Sequence, residues 1–194
     1  VDMAFNVFQA AHDAGARRVV NTSSNHAADF YEPLCLDGKR DVVTPEDPSR
    51  SHNWYGWSKD AYEHMGFVFA TGNVTDRPLE NVQIRIGGPR EGDAENAPNY
   101  RRLRRGMAVY ISRRDLQQLY IKSIEAEDIR DRNGIPFRIF YGISGNTHAF
   151  WSIVNAREII GYQPQDDSAI RFADTIRRRL AEFGEAGDPD LPRS

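Results

Sequence analysis

Helical and β-branched segments alternate along the chain, and the β-branched runs stop at small residues or glycine. This order predicts a parallel sheet covered by helices, because a parallel connection needs a crossover long enough to hold a helix. Val1, Ala4, Phe5, Phe8 and Ala11 recur at helical spacing, so Val1 to Ala14 reads as a first helix closed by Gly15. Arg17 to Thr22 follows as a compact strand entering Ser23-Ser24-Asn25-His26. Trp54 to Thr71 is a long helix with Gly72 behind it, and Asn81 to Ile86 is a strand that stops at Gly87-Gly88-Pro89. Strands that end in small residues suit the carboxyl edge of a parallel sheet, where α/β proteins place their ligands.

The rest of the chain continues the alternation less regularly. Asp29 to Asn53 is rich in Pro, Asp, Gly and Ser and reads as a long loop with at most a short turn. Glu91 to Arg105 reads as irregular, followed by a short strand from Met107 to Ile111 and a helix from the N-cap Ser112 to about Ala126. Phe137 to Tyr141 is a further strand, and helices are expected over His148 to Ile160 and Ala169 to Phe183. A tail rich in Gly, Pro and acids begins at Gly184 and is expected to be poorly ordered. No Gly-x-Gly-x-x-Gly follows a strand and opens a helix. A dinucleotide fold would therefore have its first half upstream of Val1.

With 194 residues, 40% of them hydrophobic, the chain can bury a sizeable single-domain core. A formal charge of −3 gives no global pull toward nucleic acid or an anionic membrane, and Arg101-Arg102-Leu103-Arg104-Arg105 lacks the aromatic interleaving of a nucleic-acid surface. The lone Cys35 points to a reducing, cytoplasmic setting, and no apolar run approaches the roughly 20 residues a membrane span needs. His12, His26, His52, His64 and His148 show no metal-ligand spacing, so no metal site is expected.

Tyr55-Gly56-Trp57-Ser58-Lys59 opens the long helix. Four-residue spacing puts the phenol and the ammonium on one helix face, and a nearby ammonium favours the phenolate that a general base needs. Ser24 lies 31 positions earlier, at the end of a strand, where the fold can bring a hydroxyl to the same sheet edge. A surface lysine beside a half-buried aromatic is the bland alternative for the pair alone.

These residues resemble the extended short-chain dehydrogenase/reductases, the NAD-dependent epimerase/dehydratase family. Arg17 to Ser24 is similar to the family's strand with its terminal serine, Tyr55 to Lys59 to its Tyr-x-x-x-Lys, and Asn81 to Pro89 to the strand leading to the cofactor and substrate loop. A narrower resemblance, to uronate dehydrogenases, is carried by Ser23-Ser24-Asn25-His26 with Phe30-Tyr31, by Arg85-Ile86-Gly87 and by Ile111 to Asp115. Tyr141 to Asn146, Trp151 and Gly161-Tyr162-Gln163-Pro164 continue the pattern. Gly88 stands where that group commonly has a substrate-binding serine.

The resemblance implies a Rossmann-like parallel sheet with flanking helices, truncated at its N-terminus, plus a small C-terminal substrate-binding subdomain. Residues 1–90 would form the C-terminal half of the NAD(P)-binding domain, 91–183 the substrate-binding and remaining sheet elements, and 184–194 a flexible tail. It implies Ser24, Tyr55 and Lys59 as catalytic residues, and Tyr55, Lys59, Ile86 and Gly87 as cofactor contacts. Ser24, Asn25, His26, Gly88 and an arginine would contact substrate. Ungapped counting from Ile111-Ser112 selects Arg105, with Arg101, Arg102 and Arg104 as alternatives. The implied reaction is NAD-dependent oxidation of C1 of a hexuronic acid or related sugar to a lactone, with NADP left open. The implied partners are a small sugar or sugar acid and a second copy of the chain. This chain alone is expected to bind NAD weakly or not at all, and so to be inactive by itself. The alternatives are a nucleotide-sugar epimerase or dehydratase of the same fold, and an inactive cofactor-sensing protein.

Overall fold

The computed structural model describes residues 2–192; Val1, placed in the first helix above, lies outside them. The chain begins with helix α1 (Asp2–Asp13), strand β1 (Arg18–Ser24), a 3-10 segment (Asn25–Tyr31), and helices α2 (Glu32–Leu36) and α3 (Trp54–Thr71). Strand β2 (Glu80–Ile86), helices α4 (Tyr100–Val109) and α5 (Arg113–Glu125), and strand β3 (Phe137–Gly142) follow. Helices α6 (Val154–Ile160), α7 (Ser168–Arg171) and α8 (Ala173–Glu185) complete it.

The three strands pair in parallel in the order β1-β2-β3, with Ser24 level with Ile86 and Ile86 level with Gly142. Their carboxyl ends therefore share one edge. β2 is covered on both faces, as a central parallel strand must be. Val82 and Ile84 join Phe140, Ile143, Leu119 and Trp151 in the main apolar core. The alternate residues Asn81, Gln83 and Arg85 are buried as completely, and they are polar.

Burying polar groups is costly unless each finds a partner. Asn21 donates to Gln83 at 2.7 Å, and Gln83 donates to Asn81 at 2.5 Å. Arg85 forms a two-pronged pair with Glu63 of α3, at 2.9 and 2.7 Å, and also donates to the Tyr141 hydroxyl at 2.9 Å and to Ser49 at 2.5 Å. Ser23 donates to the same carboxylate at 2.6 Å. This network ties β1, β2, β3 and α3 together just below the carboxyl edge.

The segment from 91 to 111 differs from its sequence reading. Residues read as irregular and then as a strand form α4, capped by Asn99, whose side chain accepts from the Arg102 amide at 2.9 Å. Its four arginines surround the narrow apolar stripe of Tyr100, Leu103 and Met107, so the helical period was masked. Of the expected strand at Met107 to Ile111, one parallel bridge remains, between Tyr110 and Gly88. Leu103 and Met107 pack with Phe183, Ala94 and Ala97 in a second, smaller core between α4 and α8.

Three other segments are corrected. The loop before α3 holds both the 3-10 segment and α2, which Pro33 can open because its missing N–H lies in the first turn. The helix expected from His148 starts only at Val154, since Phe150 and Trp151 turn into the core and Trp151 bridges Val43. The last helix is split at Phe172, whose ring packs edge-on against Tyr110 at 5.0 Å. Beyond Phe183, Gly184 and Glu185 complete α8, and Asp188 accepts from the Tyr100 amide at 2.7 Å; residues 193 and 194 lie outside the described residues. Among the described residues, no helix is long and apolar enough to cross a membrane.

Candidate functional site

Ser24 is the last residue of β1, and its extended backbone (φ −149°, ψ 147°) lets its hydroxyl cap the 3-10 segment by accepting from the His26 amide at 3.2 Å. The chain then turns across the carboxyl edge, so Asn25 and His26 sit over the ends of β1 and β2. Tyr55 arrives from the first turn of α3. Asn53 caps that helix, accepting from the Gly56 amide at 2.8 Å. A Cβ at Gly56 would lie 2.1 Å from the His26 carbonyl oxygen, so only glycine lets α3 seat this closely on the 3-10 backbone.

That seating puts the Tyr55 and His26 rings edge to face, 5.7 Å apart. Tyr55 is about half exposed, at 54%, and its hydroxyl has no hydrogen-bond partner among the described residues. Lys59 lies one turn on; its ammonium is 5.6 Å from the Tyr55 ring centre and donates to the Thr22 carbonyl of β1 at 3.2 Å. An ammonium has three donors, so two remain for a ligand.

Ser24, Asn25, His26, Tyr55, Ile86, Gly87, Gly88 and Arg105 line one cleft of about 300 Å³, together with Asp93 and the exposed Arg90. Lys59 is not in this lining and stands behind Tyr55. Gly87 is pressed against α4: a Cβ there would lie 2.1 Å from the Val109 carbonyl oxygen. Among the competing arginines, Arg101 and Arg102 line a neighbouring cavity of about 550 Å³, which shares His26 and Arg105 with the cleft. Arg104 turns instead to the Leu36 carbonyl at 2.6 Å.

Two acidic residues at this site carried no sequence signal. Asp29, 3% exposed, accepts from His26 Nδ1 at 2.9 Å, the His52 amide at 3.2 Å and Asn53 Nδ2 at 2.5 Å. One carboxylate thus orients the cleft histidine and braces the cap of α3. Glu32, at the start of α2, accepts from Arg105 Nε at 2.5 Å. Only the spacing of His26 and Asp29, three residues apart, could have suggested the first pair. Asn25, 3% exposed, has an amide nitrogen Nδ2 with no partner among the described residues. A buried donor without a partner is uncommon.

The chain was compared with known proteins. No family model matches it. It is 32% identical over 177 residues to an NAD-dependent glucose-6-phosphate dehydrogenase of Haloferax volcanii, covering 87% of this chain and 61% of that protein. It is 28% identical over 167 residues to a uronate dehydrogenase of Pseudomonas syringae pv. tomato, covering 86% of this chain and 51% of that one. Among solved structures, a mutated uronate dehydrogenase superposes with a TM-score of 0.70 at 28% identity, covering 91% of this chain and 55% of the other.

Uronate dehydrogenases and kindred sugar dehydrogenases are homologues of this chain. The sheet and its helices are those of their Rossmann-like fold. The chain spans between about half and two thirds of the length of the curated relatives it matches.

Proposed function

We propose that this chain carries the substrate-facing part of an NAD-dependent sugar dehydrogenase that oxidises C1 of a hexuronic acid or related sugar to a lactone. The observation that carries the reading is the convergence of Ser24, Asn25, His26 and Tyr55 on one cleft, with Lys59 on the face of α3 that bears Tyr55. A scaffold that only bound a cofactor would have no chemical need for a tyrosine-lysine base beside a hydroxyl donor.

The residues present fit the nicotinamide end of the cofactor. Lys59 keeps two donors for ribose hydroxyls, and Ile86 and Gly87 line the cleft where the strands end. NAD, when bound, supplies the oxidising power by accepting hydride from C1.

The chain's own residues handle the proton and the pose. Tyr55, as the phenolate that the Lys59 ammonium stabilises, takes the proton from the C1 hydroxyl and becomes the neutral phenol. Ser24 hydrogen-bonds the reacting oxygen. Asn25 donates its unpartnered amide to a neighbouring hydroxyl, and His26, held by Asp29, contacts another. The Gly88 position leaves the floor of the cleft without a hydroxyl, and Arg105 closes the substrate end. A reducing cytoplasmic setting belongs to this reading, since the single cysteine, Cys35, is buried and unpaired.

The test is reduction of NAD by the full-length protein supplied with galactose, galacturonate, glucuronate or glucose 6-phosphate. NADH accumulation with one of them supports the reading. Conversion of a nucleotide sugar without net NADH would instead favour an epimerase or dehydratase.

A further inference from the structure

Arg105 is the strong cation at the substrate end of the cleft, and it is already taken. Glu32 holds its Nε at 2.5 Å, and the pair is well shielded, with the two side chains 19% and 14% exposed. The second carboxylate oxygen, Oε2, is buried and has no partner among the described residues. A substrate carboxylate brought to the remaining N–H groups of Arg105 would therefore meet a second, shielded negative charge across the same guanidinium. Like charges this close repel strongly where solvent screens them little.

The remaining charges of the cleft do not restore a site for an anion. Asp93 lines it with no hydrogen-bond partner among the described residues, and Asp29 sits behind His26. The other arginine of the lining, Arg90, is exposed at the rim, where solvent weakens its pull. By contrast, Arg105 engages Glu32 through Nε alone, so its terminal N–H groups remain as donors for neutral oxygens. The end of the cleft is built to read hydroxyls.

We propose that Glu32 is the specificity-determining residue: by occupying Arg105 it makes the cleft select a neutral aldose over the corresponding hexuronate. This rests on the reading of the cleft as a sugar site and narrows its substrate class. Selectivity is set by the Glu32 charge, which cancels that of Arg105 and repels a second carboxylate placed beside it.

The experiment is equilibrium binding by calorimetry, on the full-length protein with NADH present so that the sugar is held without turnover, of galactose and of galacturonate, which differ only at C6. Wild type is expected to bind galactose at least about tenfold more tightly, and Glu32→Gln to shift the preference toward galacturonate by about tenfold or more. The wild-type comparison stands even if the variant fails to fold. Tighter binding of galacturonate by wild type, a preference that Glu32→Gln leaves within about twofold, or no binding of either sugar overturns the proposal. Galactose binding with the expected preference but no NADH formation would overturn the dehydrogenase reading and leave the role of Glu32 standing.

Discussion

The Asp29 carboxylate accepts from His26 Nδ1 at 2.9 Å while its other contacts brace Asn53, the cap of the helix that presents Tyr55. One buried charge thus fixes both arms of the cleft. Asp29→Ala would leave His26 free to rotate and loosen the start of α3. We expect turnover to fall roughly ten- to hundredfold, because small misplacements of reacting groups cost that much. Thermal unfolding should also show a loss of about 1–3 kcal/mol from the buried donors left unpaired. Steady-state kinetics beside a melt checks both.

Arg85 and Glu63 form the most deeply buried ion pair of the molecule described, with side chains 0% and 2% exposed. Removing one partner strands the other in a low-dielectric interior. Glu63→Ala should therefore destabilise by about 3–5 kcal/mol, whereas Glu63→Leu combined with Arg85→Met should recover much of the loss. Chemical denaturation of Glu63→Leu, Arg85→Met and the double variant forms the cycle. Strict additivity would show that the pair is not coupled.

Cys35 is 3% exposed, and burial pushes its thiol up to about 11. At pH 8 roughly one molecule in a thousand then carries the reactive thiolate. Labelling by a disulfide reagent should be slow in the native state and rapid in denaturant. Equal rates would show that the site is open.

Asp166 is held below the usual carboxylate range by its hydrogen bonds from Arg114, and Glu91 by its hydrogen bond from Arg171. A depressed folded value stabilises above the unfolded value of about 4 and is lost as pH falls through the folded one. Stability should thus hold from neutral pH to about 5 and decline below about 4. Arg114→Ala should flatten that acid decline. Melting temperature followed against pH checks the sign.

The sheet and its functional edge were legible because they rest on local signals. β-branched runs end in small residues at Ser24 and Gly87, and Gly72 closes the long helix. Tyr55 and Lys59 were readable for the same reason, since four-residue spacing is a property of one helix. What escaped depends on approach in space. Glu32 meets Arg105 across 73 positions, and Asp29 lies in a segment with no period. α4 was missed because its arginines hid its stripe and its last turn, Met107-Ala108-Val109, continues into Tyr110-Ile111 and reads as a strand. The alternation of Asn81, Gln83 and Arg85 was visible, but the buried network that α3 supplies to them is one that no single strand pattern reveals.

In the proposed reaction Tyr55 takes the proton while sugar and cofactor are held by other groups. Turnover and sugar binding of Tyr55→Phe, measured together in the full-length protein, test this most directly. NADH formation is expected to be abolished, with galactose affinity within about threefold of wild type. Turnover at the wild-type rate would contradict it.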